Sequence, residues 1–195
     1  MYARILLASD PAAAPDQAAL SAEPGYAGHA YAMQPDGPGC ALITFFDTED
    51  QASSRNAAPS AGSGSAAGFD EVYEVSWMEP GSAQNESPAT IQLVFFDGPR
   101  DPAQLAADSR LSEAIKPAMT DVVGLVAHYA LNRRDGGWVA MTLATSFDAL
   151  LRAAETATSV SVEPATTHPT RPDRVLDYAL SLSHLPLPAT SSRTA

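Results

Sequence analysis

The chain has one cysteine, Cys40, and one lysine, Lys116. A lone cysteine excludes an intrachain disulfide and any multi-cysteine metal site. Basic residues are scarce as a whole: 11 Lys and Arg stand against 23 Asp and Glu, for a formal net charge of −12. The arginines do not cluster. A nucleic-acid or anionic-membrane partner requires a basic footprint that displaces counterions from phosphates, so neither is expected. No run approaches the ~18 apolar residues of a membrane span. The opening "MYARILLASD" has a short apolar run with no basic segment before it, so no secretory signal is expected. The sequon Asn85-Glu86-Ser87 then carries no expectation of a glycan, and the chain reads as cytoplasmic. Also missing are a phosphate loop, G-x-G-x-x-G, G-x-S-x-G and H-x-x-x-H. Those absences disfavour nucleotide enzymes, serine hydrolases and a histidine-built metal site.

What is present is a pattern written twice. "GHAYAMQPDGPGCALITFFD" at 28–47 and "AHYALNRRDGGWVAMTLATS" at 127–146 each hold a histidine, an apolar run, an Asp-Gly turn and a second apolar run. One offset matches Gly25 with Gly124, His29 with His128, and Asp36-Gly37 with Asp135-Gly136. After the turn one residue is lost, and Thr44 matches Thr142. "ARILLASDP" at 3–11 lies over "IQLVFFDGP" at 91–99, and "FDEVYEVSW" at 69–77 over "PDRVLDYAL" at 172–180. A repeat kept in order along the chain decides the fold before any single element does.

The second copy predicts a strand over 91–96, bounded by Asp-Gly-Pro. A helix follows, with Asp101 as N-cap, Pro102 in its first turn and an apolar face of Ala103, Ala107, Leu111, Ala114, Ile115 and Ala118. Pro117 is expected to kink or end it. Strands over 122–131 and 138–143 flank the Asp135-Gly136 hairpin. A second helix starts near Ser146, and a last strand covers 175–182. The order is β-α-β-β-α-β, the split ferredoxin-like motif. The first copy is reduced, with room for only a short helix in "PDQAALSAE" and a Gly/Ser/Ala linker at 57–68. The organisation is a first half at 1–80, a linker at 81–90, a second half at 91–184 and a disordered tail at 185–195.

Two such halves, with fourth-strand segments "DEVYEVSW" and "DRVLDYAL", resemble the dimeric α+β barrel superfamily, whose best-known branch is the antibiotic-biosynthesis monooxygenase-like (ABM) family. The resemblance implies an α+β fold in which two ferredoxin-like halves pair their sheets into a pseudo-dimeric barrel, here on one chain. The molecule is then a monomer by virtue of that pseudo-dimer, or a homodimer. It also implies a cavity between sheet and helices, and a small hydrophobic or aromatic ligand. Two functions follow: an oxygenase or related enzyme acting on an aromatic or polyketide-like compound, or a non-catalytic binding or accessory protein of the stress-responsive type. No cofactor is expected, with haem the one the resemblance allows.

His29 and His128 stand out because the repeat keeps both; an imidazole is a usable base near neutrality, or an inert core group. The candidate catalytic residues are His128, Tyr129 and Asn132. The candidate substrate contacts are Trp138, His29, Tyr31 and Arg100, the last as an anion holder at the mouth of the second half. Trp77 and Phe147 are further candidates for an aromatic wall, against a plain core role. Arg133 and Arg134 read as a solvated hairpin tip, His168 and His184 as exposed, and Cys40 as a small buried hydrophobe. No metal ligands are expected. The longer helix of the second copy places the pocket in that half, between its strands and 101–119.

Overall fold

A computed structural model describes residues 1–9, 16–54, 67–160 and 171–186. The 57–66 stretch of the expected linker, His168 and the tail from 187 onward lie outside the described residues. The first half runs β1 (Tyr2–Ala8), α1 (Gln17–Ser21), β2 (Tyr26–Met33), β3 (Cys40–Phe46), α2 (Glu49–Ser54) and β4 (Ala67–Pro80). The second runs β5 (Thr90–Phe96), α3 (Pro102–Thr120), β6 (Leu125–Asn132), β7 (Trp138–Ala144), α4 (Phe147–Ser159) and β8 (Arg174–His184).

The eight strands close into one barrel in the order β1-β3-β2-β8-β5-β7-β6-β4, with β4 returning to β1. Every pairing is antiparallel. The outer strands of each half reach across: β2 pairs with β8, and β4 with β6. Closure removes the open sheet edges that either half would expose by itself. Alternation along each strand sends one set of side chains inward. Ile5, Ile43, Phe45, Tyr73, Leu93, Phe95, Tyr129, Met141 and Tyr178 fill the interior, so the barrel is a packed core and not a channel.

The strand registers of one half recur in the other. His29 faces Thr44, and His128 faces Thr142. A register shift falls between Tyr26 and Gly28, and again between Leu125 and Ala127. Gly25 and Gly124, with φ of 69° and 84°, precede those strands in the left-handed region that favours glycine. Their carbonyls accept from Asp47 N and Thr145 N, both at 2.9 Å. The fourth-strand match, however, shifts by two residues from the sequence expectation. Ala3 faces Tyr73 and Ile91 faces Tyr178, so Tyr73 corresponds to Tyr178 and Trp77 to Leu182. A two-residue slip leaves every side chain on its own face, so the apolar pattern alone does not exclude it.

Asp101 caps α3 as expected, its carboxylate accepting from Gln104 N at 2.8 Å, with Pro102 in the first turn. Pro117 does not end the helix, which continues to Thr120. Proline in the last turn costs only the bond to the Glu113 carbonyl. Met119 meanwhile packs with Val122, Leu125, Ala153 and Ile115, which holds that turn in place. Ser146 caps α4 through Ala149 N at 3.2 Å. By contrast α1 has 5 residues and α2 has 6.

Candidate functional site

The outer face of the sheet differs between the halves. In the first, Tyr31 faces Leu42 across β2 and β3. Both pack with Leu6, Cys40 and Leu20 of α1 into one buried cluster. In the second, the corresponding cross-strand pair is Ala130 and Ala140. Small side chains there, under the longer α3 and α4, leave an apolar chamber of about 110 Å³. Val94, Phe96, Leu111, Ile115, Met119 and Ala154 supply its apolar wall, and Gln92, His128 and Thr142 polar groups, with the Gln92 amide donating to Asp177 Oδ1 at 2.9 Å. Trp77, Ser112 and Trp138 line this chamber and also a larger, more polar cleft of about 480 Å³. Arg100, Asp108, Asn132, Arg133 and Gly136 border that cleft. Small-molecule pockets measure ~300–1,000 Å³, so the cleft is of ligand size and the chamber by itself is not.

A bulge supplies one wall. Val75 faces Leu131 and Trp77 faces Ala130, so Ser76 is the extra residue. Its hydroxyl donates to the Ala130 carbonyl at 3.0 Å. Were Ser76 paired regularly with Ala130, Trp77 would oppose Tyr129 and point into the barrel; the bulge re-aims it outward. Trp77 Nε1 donates to Ser112 Oγ of α3 at 3.1 Å, and Lys116 Nζ lies 4.9 Å from the ring centroid. Trp138 stacks on Phe96, with centroids 3.9 Å apart and planes 2° from parallel. Its Nε1 is buried and makes no hydrogen bond.

His128 is 8% exposed and its Nδ1 lies 2.7 Å from Thr142 Oγ1. Its ring centroid is 5.1 Å from that of Trp77. Burial disfavours the imidazolium and lowers the pKa to about 4, so the ring is neutral at neutral pH. Arg100 pairs with Asp173 at 3.4 Å, while its Nε is buried without a partner. Arg133 is not a solvated tip. It pairs with Asp135 at 2.7 Å and with Glu71 of β4, and the Asp135 hydrogen bond chiefly holds its pKa above the ordinary range. Asp135 is two residues on in the same hairpin turn, and its carboxylate also accepts from Gly137 N at 3.0 Å. Arg134 is the exposed member and pairs with Glu49 at 2.6 Å.

Of the residues expected from sequence, His128, Asn132, Trp138 and Arg100 gather around the cleft and chamber. Tyr129 does not. As the strand neighbour of His128 it points the other way, into the barrel, with its ring 5.7 Å from Phe45. His29 and Tyr31 lie in the first half, away from the cleft. His29 is fully buried with Nδ1 2.5 Å from the Tyr26 hydroxyl. Phe147 is 41% exposed and lines neither space. The sequence reading missed Phe96, Asp108 and Ser112. The signal was there for two of them: Gln104, Asp108 and Ser112 recur at i,i+4 spacing along α3, a polar row beside its apolar stripe. Gln104 Nε2 donates to Asp108 Oδ1 at 2.9 Å on that inner face.

Among the described residues no three His, Cys, Asp or Glu side chains group as metal ligands. A haem requires at least the volume of a drug-sized ligand beside its axial histidine. The chamber at His128 holds about 110 Å³, so with α3 and α4 where they stand the residues do not fit a haem. Among the described residues no helix is long and apolar enough to cross a membrane.

No family model and no curated protein matches the chain. Solved structures do. An anthrone oxidase-like protein aligns with a TM-score of 0.57 at 12% identity, over 94% of this chain and 92% of that one. Two more have names given as "putative". One is a monooxygenase from Lactobacillus acidophilus, with TM-score 0.55, 9% identity, and 95% and 96% coverage of the two chains. The other is a chlorite dismutase, with TM-score 0.55, 14% identity, and 92% and 94% coverage. At these identities the likeness shows the fold alone, an α+β barrel.

Proposed function

We propose that the second half of the chain binds a small, planar, largely apolar molecule of the aromatic or polyketide-like class. Its ring contacts Trp77 and Trp138, which line both spaces, with polar groups facing Arg100, Asn132 and Arg133 on the cleft side and His128 on the chamber side. One observation carries this reading. At corresponding positions the first half fills its outer face with Tyr31 and Leu42, whereas the second has Ala130 and Ala140 under a longer helix. We take 1–80 and 91–184 as two ferredoxin-like halves of a pseudo-dimer, joined by 81–90; the recurring registers support this. A barrel closed within one chain is complete as a monomer.

The neighbours' names, anthrone oxidase-like and monooxygenase, support oxygenation of such a compound by this chain. His128 supports the alternative. An imidazole with a pKa of about 4 is a weak base at neutral pH, which favours binding without turnover. One experiment separates them. Anthrone is titrated against the fluorescence of Trp77 and Trp138 while dioxygen uptake is followed. Quenching together with uptake above spontaneous autoxidation supports the oxygenase. Quenching without uptake supports the accessory reading, and no response to anthrone or related tricyclic ketones ends both. His128→Ala is expected to weaken binding, and His29→Ala to lower thermal stability with affinity unchanged. Haemin is expected to give no Soret band with the purified chain.

A further inference from the structure

The hydrogen bonds of His128 define which of its nitrogens carries the proton. Thr142 Oγ1 and His128 Nδ1 lie 2.7 Å apart across β6 and β7, both residues buried. Neither side chain has another hydrogen-bond partner among the described residues. Two arrangements are open at that contact. If the imidazole donates from Nδ1, the threonine proton lacks an acceptor and Nε2 lacks a donor, so two groups go unmet. If the threonine hydroxyl donates to Nδ1, the contact is satisfied on both sides and one group remains, an Nε2–H donor. Buried polar groups pair wherever they can, so the second arrangement is the stable one.

The neighbouring unmet atoms have the same character. Trp138 lines the same chamber, and its Nε1–H is buried with no acceptor; Arg100 Nε, at the border of the adjoining cleft, is likewise unpaired. Two N–H donors, His128 Nε2 by the argument above and Trp138 Nε1, then face the chamber, and Arg100 Nε is a third at the adjoining cleft; among the described residues no buried side-chain acceptor there is left unpaired. A ligand whose tip is an acceptor oxygen with no proton of its own complements that arrangement.

Resting on the reading that the second half holds a ligand site, we infer that the site selects planar aromatic ketones, whose carbonyl oxygen reaches from the cleft side into the chamber and accepts a hydrogen bond from His128 Nε2–H. Thr142 is the positioning residue that keeps His128 a donor. In this tautomer His128 orients and polarises the carbonyl and does not abstract a proton from the ligand.

The test has two arms on the full chain. Long-range proton–nitrogen correlation on protein with ¹⁵N-labelled histidine reads the tautomer directly, with the His128 signal assigned by its loss in His128→Leu. The Nε2–H pattern is expected in the wild type and a mixture in Thr142→Val; the Nδ1–H pattern in the wild type overturns the inference. The second arm compares acetophenone with α-methylstyrene, which share a shape and differ in the carbonyl. Acetophenone is expected to bind about tenfold tighter or better to the wild type, as one hydrogen bond to a buried donor implies. The two are expected to bind equally to His128→Leu. Equal affinity in the wild type overturns the ketone selectivity while leaving the ligand site standing. Binding of neither probe overturns both.

Discussion

The two halves of this barrel keep the same buried pair, His29 with Thr44 and His128 with Thr142, yet surround it differently. In the first half His29 meets the Tyr26 hydroxyl, and nearby the short α1 drives Leu20 between Leu6, Tyr31 and Leu42. In the second, Ala130 and Ala140 replace the large pair and α3 spans 19 residues. The histidine is therefore not what distinguishes the half with a chamber from the half without one. The volume of two neighbouring side chains and the length of one helix do so, because an interior packs to near-crystalline density unless small residues leave space.

The sharpest way to break the comparison is to make the second half imitate the first. Ala130→Tyr with Ala140→Leu should fill the chamber and abolish ligand quenching, a loss above about a hundredfold in affinity, or ~2.7 kcal/mol. Overpacking adds a stability cost of about 1–3 kcal/mol. Retained affinity would place the ligand elsewhere. The reciprocal change, Leu20→Ala, removes a side chain that is 1% exposed and should lower stability by about 2–5 kcal/mol in denaturant melts. Ligand affinity should stay within about twofold, since sites without shared partners act independently.

A third prediction uses pH. The folded pKa of His128, about 4, lies below the value of 6.5 for a free imidazole. Between those values the unfolded chain takes up the proton first. The contribution is complete above pH 6.5 and is lost as pH falls toward 4, with a size of roughly 3 kcal/mol. His128→Leu should remove that part of the pH slope, visible as parallel melts from pH 7 to 4.5. The smallest expected effect concerns the caps. Asp101→Ala should cost about 1 kcal/mol because it unpairs Gln104 N at the start of a long helix. Asp16→Ala, at the start of five residues, should cost less; equal losses would show that helix length is not what separates the halves.

The sequence made particular things legible for particular reasons. Asp101-Pro102 and Ser146 mark helix starts because capping is local chemistry, and both fall where expected. The two register shifts and the two-residue correction of the fourth strand were not legible, since a hydrogen-bonded register belongs to a pair of strands. Tyr129 shows the limit most directly. It is as aromatic and as close to His128 as a site residue would be, but strand alternation sends it to the opposite face. Arg133 looked solvated because its partner Glu71 is distant in sequence.

By itself the sequence determined the class of fold, the repeated order of elements and the half in which a cavity could form. Those follow from local propensity, from a turn-anchored repeat and from helix length, all properties of contiguous segments. Only the tertiary structure decided that Trp77 faces the chamber through the bulge at Ser76, that Ala130 and Ala140 oppose each other beneath α3, and that Thr142 holds His128 by Nδ1. Each of these depends on which residues of distant strands come to lie opposite one another, and that is settled by closing the barrel.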